Sequence, residues 1–193
     1  MKYKIAAVFG SPRRHGNTDV LLESFLEGLS DSGLDVIVAK IIVPQLNFSP
    51  CRECRHCSTD GQCIVNDDIQ QIYPKITEAN LVAVASPVFF TTVSGYLKSF
   101  IDRFQRFWAL KYELKKKVIT VENKKGLFFS CAGSEKPDIF DCSKKVIRAF
   151  FDVIYTTYHA DFCYNGIDLK DDIRKDKSIC EDIYRFGKDA KFF

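Results

Sequence analysis

Residues 5–9, Ile-Ala-Ala-Val-Phe, form an unbroken apolar run that stops at Gly10, and an apolar helical pattern starts at Val20. The run reads as a buried strand. Between the two lies Gly10-Ser11-Pro12-Arg13-Arg14-His15-Gly16-Asn17-Thr18. A strand, a turn rich in Gly and hydroxyls, then a helix start is the layout of a phosphate cradle. N–H groups at a helix N-terminus lack intrahelical partners, and the helix dipole adds partial positive charge. Ser11, Asn17 and Thr18 offer further donors, Arg13 or Arg14 offers charge, and Gly16 lets the backbone turn where a Cβ would clash. The dinucleotide fingerprint G-x-G-x-x-G is absent, and the Walker A pattern fails because five residues separate Gly10 from Gly16 and no Lys follows. The plainer alternative is an ordinary Asn or Thr N-cap after a polar loop. Asp19, in the first helical turn, must point away from any bound anion.

Strand and helix patterns then alternate to the end. Tyr3 to Phe9, Asp35 to Val43, Leu81 to Ala85, Gly126 to Phe129 and Thr156 to Tyr164 read as strands. Helices are expected over Asn17 to Ser32, from Asn66, Asp67 or Asp68 to about Ala79, after a Ser94 cap, from Pro137 and Asp138, and over Asp176 to Gly187. In the Ser94 helix, Leu97, Phe100, Ile101, Phe104 and Trp108 are expected inward. Lys111 to Lys125 is charged and irregular, with a short strand expected at Val118 to Val121. The alternation predicts an α/β fold with a parallel sheet between helical layers. Five strands with a phosphate site in the first loop predict the doubly wound, flavodoxin-like order 2-1-3-4-5. At 193 residues, a single domain over 1–193 is expected.

In such sheets a ligand lies beyond the carboxyl ends of the strands. Loops 10–18, 86–94 and 130–136 leave those ends, and all are rich in small, hydroxyl or aromatic residues. A flat, partly apolar ring system needs apolar walls and backbone groups for its polar edge. Pro87, Val88, Phe89 and Phe90 offer walls, the backbone of Thr91 and Thr92 offers polar contacts, and Gly133 permits close approach. The alternative is that Phe89 and Phe90 belong to the core. His15 and His56 are candidate proton carriers on position alone.

Gly10-Ser11-Pro12-Arg13-x-x-Gly16-Asn17-Thr18 resembles the opening of the NADPH-dependent FMN reductase family, a flavodoxin-fold group. Ser86-Pro87-Val88-Phe89-Phe90, followed by Val93-Ser94 and Leu97-Lys98-x-Phe100-Ile101-Asp102-Arg103, is similar to its second signature. The matches cover about residues 3–107. The resemblance implies FMN. Ser11, Arg13, Gly16, Asn17 and Thr18 would hold its phosphate, Pro87, Val88, Phe89, Phe90 and Thr91 would flank the isoalloxazine ring, and Ser130, Cys131, Ala132 and Gly133 would close the pocket. NAD(P)H is a candidate co-substrate. Phe89 stands where the family often has Tyr, and Thr91 where it often has Gly, so the ring contacts differ.

Of eight cysteines, four fall within thirteen residues as Cys51-x2-Cys54-x2-Cys57-x5-Cys63, in the loop Leu46 to Val65 after the second strand. No export signal is seen and no apolar run reaches membrane-spanning length, so a reducing, cytoplasmic interior is expected, where clustered cysteines point to metal or redox chemistry. Three thiolates at three-residue steps and a fourth after a Gly-containing turn can wrap one compact centre. Zinc held by the four thiolates and a disulfide pair are the alternatives. The motif resembles that of the iron-sulfur flavoprotein branch of the same family. That resemblance implies a [4Fe–4S] cluster on Cys51, Cys54, Cys57 and Cys63 beside FMN, and a homodimer or homotetramer in which the cluster of one subunit approaches the flavin of another. It also implies electron flow between a reduced donor and an acceptor, with a small molecule or a ferredoxin-like protein as redox partner. Two other functions fit the same residues: an NAD(P)H-dependent FMN, quinone or nitro-compound reductase without a cluster, and a non-enzymatic flavin electron carrier with structural zinc. Cys131 is expected to be a small pocket-lining residue. Net charge is +3, from 28 Lys and Arg against 25 Asp and Glu, which is too balanced to favour nucleic acid. Lys115-Lys116-Lys117 and Lys124-Lys125 read as solvated loop edges.

Overall fold

The computed structural model describes residues 2–119 and 121–193. Strand β1 (Tyr3–Phe9) leads to helix α1 (Asn17–Ser30) and strand β2 (Val36–Ile42). The cysteine loop carries a single helical turn, α2 (Cys57–Asp60), and runs into α3 (Ile69–Thr77) and β3 (Leu81–Ala85). A small hairpin follows, β4 (Val88–Phe89) and β5 (Thr92–Val93), then α4 (Gly95–Asp102) and α5 (Gln105–Trp108). The chain closes with β6 (Lys125–Cys131), α6 (Asp141–Val153), β7 (Thr157–Tyr164), α7 (Asp172–Lys175) and α8 (Lys177–Asp189). The main sheet has the order β2-β1-β3-β6-β7, parallel at every pairing. Because β4 and β5 form a separate hairpin, this is the expected doubly wound, flavodoxin-like order.

The central strands are continuous apolar runs because both faces are covered. Ala6, Val8, Val82, Val84 and Phe128 join one core with α3, α4 and α6. Ile5, Ala7, Phe9, Ala83, Ala85, Leu127 and Phe129 join the other with α1 and α8. That split is the two-residue alternation of a strand acting on an all-apolar sequence. Helices α1 and α8 lie in direct backbone contact. A Cβ on Gly28 would stand 1.9 Å from the Tyr184 carbonyl oxygen, and one on Gly187 would stand 2.3 Å from that of Phe25.

Several expectations need correction. The hydroxyl-rich loop after β3 contains the β4–β5 hairpin. The helix expected from Pro137 begins at Asp141, because Ile139 and Phe140 turn to pack with Ala132 and Val88. Val118, Ile119 and Val121 form no strand, and Thr120 lies outside the described residues. Trp108 is 38% exposed. The helix capped by Ser94 stops at Asp102, restarts at Gln105 and passes into a π-turn at Ala109–Glu113, so Trp108 leaves the buried stripe. Lys124 is buried at 1% exposure, not solvated. No helix among the described residues is long and apolar enough to cross a membrane.

Candidate functional site

Parallel pairing brings the ends of β1, β3 and β6 side by side, with Phe9 opposite Ala85 and Ala85 opposite Phe129. Buried serines then tie the three following loops together. The Gly10 N–H donates to the Ala85 carbonyl at 2.8 Å, and the Ser86 N–H to that of Phe129 at 3.0 Å. Ser130 Oγ donates to the Ser86 carbonyl at 2.8 Å, and the Ser94 N–H to Ser86 Oγ at 3.0 Å. Ser94 Oγ donates to the Gly10 carbonyl and accepts from the Leu97 N–H at 3.1 Å, which caps α4 as expected.

Above this lattice opens a cleft. Ser11, Arg13, Gly16, Asn17 and Thr18 line it from the first loop, Pro87, Val88 and Phe89 from the second, and Cys131, Ala132 and Gly133 from the third. Phe90, Thr91 and Ser130 stand outside that lining. Ser130 is spent on fastening the loops beneath. Phe90 and Thr91 form the hairpin tip at φ of 48° and 66°, the left-handed values a two-residue hairpin turn requires. The tip leaves Phe90 fully exposed. Neither His15 nor His56 lines the cleft.

The start of α1 is not an ordinary cap. Its N-cap is Gly16, and no side chain among the described residues caps the first-turn N–H groups. Asn17 instead donates to the Leu169 carbonyl at 2.8 Å and accepts from the Ile173 N–H at 3.3 Å. The helix end therefore presents uncapped donors and its dipole at the cleft. Asp19 faces elsewhere, taking Arg14 Nη1 at 3.0 Å and the His15 N–H at 2.9 Å, while its Oδ1 is buried with no partner among the described residues. Burial pushes its carboxyl pKa up. With Arg14 committed to Asp19, Arg13 is the cation that lines the cleft.

Sequence reasoning missed one wall. After β7 the segment 165–173 crosses over the third loop to reach α1, and Ile167 and Asp168 complete the lining. It is held by the Ile167 N–H to the Ala132 carbonyl at 2.9 Å and by Asn17. Asp168 sits over Gly133, where a Cβ would lie 2.9 Å from its own Cβ. The polar tract after the last strand carries no local sign of this role.

The four clustered cysteines line a second cavity together with Arg52, Arg55, Arg103, Arg106 and Trp108, and with Glu53 and Glu113. Positive φ at Glu53, Arg55 and Gly61 coils the loop around it. Burial and the neighbouring Cys51, Cys63 and Cys54 raise the Cys57 thiol pKa, so the four sulfurs feel one another. Among the described residues no group of three or more His, Cys, Asp or Glu is gathered to hold a single metal ion. Arg103 Nε and Arg106 Nε are buried with no hydrogen-bond partner among the described residues.

An iron-sulfur flavoprotein of Methanocaldococcus jannaschii is 34% identical over 115 residues, 60% of this chain and 58% of that one. An iron-sulfur flavoprotein of Archaeoglobus fulgidus is 34% identical over 100 residues, 52% of this chain and 44% of that one. The chain thus spans about half the length of these relatives. Among solved structures, an NAD(P)H:quinone oxidoreductase from Methanothermobacter marburgensis superposes with a TM-score of 0.67 at 19% identity, over 99% of this chain and 97% of that one, a likeness of fold. The sequence model of the NADPH-dependent FMN reductases matches residues 3–139, most of the chain and all three cleft loops but not the strap at 165–173, and the chain belongs to that family.

Proposed function

We propose that the cleft binds FMN, that Cys51, Cys54, Cys57 and Cys63 hold a [4Fe–4S] cluster, and that the protein passes electrons between a reduced donor and an acceptor through the two. The observation that carries this reading is the convergence of three sequence-distant loops on one cleft. One end of it is an uncapped helix start beside Arg13, and its walls are Pro87, Val88 and Phe89. A monophosphate fits the first and a flat ring the second. Ser11, Gly16 and Thr18 would complete the phosphate contacts, and Cys131, Ala132 and Gly133 would back the ring. Bound FMN supplies two-electron chemistry and a cluster one-electron chemistry, while the protein supplies placement and electrostatics.

The second cavity suits a polyatomic anionic centre better than one ion. Its sulfurs frame an open space, and two buried arginine N–H groups on its lining residues lack acceptors. Wild-type protein purified without oxygen should be brown, contain iron and acid-labile sulfide, and lose its broad absorbance with dithionite. Cys54→Ser should remove that absorbance and the iron while flavin stays bound. A yellow wild type without iron, or a zinc-containing one, refutes the cluster. A colourless protein that takes up no flavin refutes the whole reading.

An apolar groove favours a second reading for the acceptor. Leu46, Phe48, Pro50, Tyr96 and Phe89 line it, and Phe89 borders the cleft as well. A small flat quinone or nitro-compound there would take electrons from the flavin directly, with NADH or NADPH as donor. Steady-state assays with each nucleotide and with a reduced ferredoxin separate these donors.

A further inference from the structure

Arg103 heads the buried side chains by size, and its side chain is 1% exposed. Its guanidinium holds both ends of the cysteine loop. Nη1 donates to the Ser49 carbonyl at 2.8 Å and to Asp67 Oδ2. Nη2 donates to Asp67 Oδ1 at 3.1 Å, to the Val65 carbonyl at 3.4 Å and to Cys63 Sγ at 3.6 Å. Asp67 in turn accepts from the Ser49 N–H and the Ile69 N–H, each at 3.2 Å, and the Arg103 guanidinium, with these N–H groups behind it, holds its carboxyl below the usual carboxylate range despite burial. Among the described residues, Cys63 is the one clustered cysteine whose sulfur accepts such a side-chain bond.

A buried ion pair is a poor device for stability alone. Desolvating both ions offsets most of their attraction, and apolar groups of the same volume often do as well. What apolar groups cannot supply is an oriented N–H on sulfur in a water-poor site. Hydrogen bonds to ligand sulfurs are a main lever on the potential of an iron–sulfur centre. The same fork also fixes where Cys63 stands relative to residues 49, 65 and 67.

We propose that Arg103 is a positioning residue that fixes the Cys63 sulfur and, through its Nη2–H···Sγ bond, raises the midpoint potential of the redox centre on the four cysteines. This rests on the cluster reading above. The added electron enters the centre with no bond made or broken, so the bond acts only by favouring the more negative, reduced state. Asp67 tempers the effect by balancing the guanidinium charge.

The test is an anaerobic redox titration with dithionite, following the cluster by electron paramagnetic resonance and the flavin by absorbance, on protein assayed for iron and sulfide. Arg103→Met should lower the cluster midpoint enough to change the oxidised-to-reduced ratio at least tenfold at the wild-type midpoint, about 59 mV for a one-electron couple. The flavin couple should not move. Arg103→Lys keeps charge and stem but not the fork, and should give a smaller fall. Asp67→Asn leaves the guanidinium without its counter-charge, and should move the midpoint upward. Variants with full iron and wild-type midpoints overturn the proposal and leave the cluster reading intact. Should Arg103→Met not fold, unmoved midpoints in Arg103→Lys and Asp67→Asn overturn it equally. Absence of iron in the wild type overturns both readings together.

Discussion

Lys124 should make this protein more stable as the solution becomes more alkaline. Its side chain is buried, and its ammonium donates only to the Ile76 carbonyl, with no carboxylate partner among the described residues. Burial lowers its pKa from 10.5 to about 7. Between those two values the unfolded chain holds a proton that the folded lysine has released. Unfolding therefore takes up a proton, and stability rises with pH across that window. At about 1.4 kcal/mol per pH unit, the ceiling is roughly 5 kcal/mol, present in full as a penalty below about pH 7 and absent above about pH 10.5. Lys124→Met keeps the stem and removes the charge. It should be more stable than the wild type by about 2–5 kcal/mol at pH 6, less a constant loss of about 1 kcal/mol for the Ile76 bond. The gap should shrink steadily toward pH 10. Urea unfolding followed by Trp108 fluorescence at one-unit pH steps reads both curves, and every other titrating group is common to the two proteins. Parallel curves across pH 6–10 would refute the reasoning.

Two further perturbations test the cleft and the packing. Under the proposed function Arg13→Ala should remove a charge-assisted phosphate bond of about 1.5–3 kcal/mol, so FMN affinity should fall roughly 10- to 150-fold while riboflavin affinity holds, as measured by flavin fluorescence quenching. Equal losses for both ligands would place the phosphate elsewhere. Gly187→Ala puts a methyl 2.3 Å from the Phe25 carbonyl oxygen and must part α1 from α8. Unfolding stability should drop by about 1–3 kcal/mol, and a wild-type melting curve would contradict that contact.

The layered architecture was legible because it rests on local patterns. Unbroken apolar runs at 5–9 and 81–85 announce strands covered on both faces, and the Ser94 cap and Leu97/Phe100 spacing announce a helix. The loops that line the cleft were legible for the same reason, since topology alone puts the ends of β1, β3 and β6 at one edge. Trp108 was misread because its spacing assumes a straight helix, whereas the chain breaks after Asp102 and widens into a π-turn. Lys124 looked solvated because a Lys-Lys pair at a strand start gives no sign of which member the sheet covers.

Periodicity and turn chemistry therefore determined the sheet order, the glycine-containing turn after the first strand and the spacing of four thiols. Tertiary structure alone decided that residues 165–173 wall the cleft through Asn17, that Arg103 rather than a loop arginine reaches Cys63, and that Arg13 rather than Arg14 lines the cleft. The reason is range. A side chain's periodicity reports burial within its own element, but a hydrogen bond spanning 40 or 152 residues leaves no mark on the sequence around either partner.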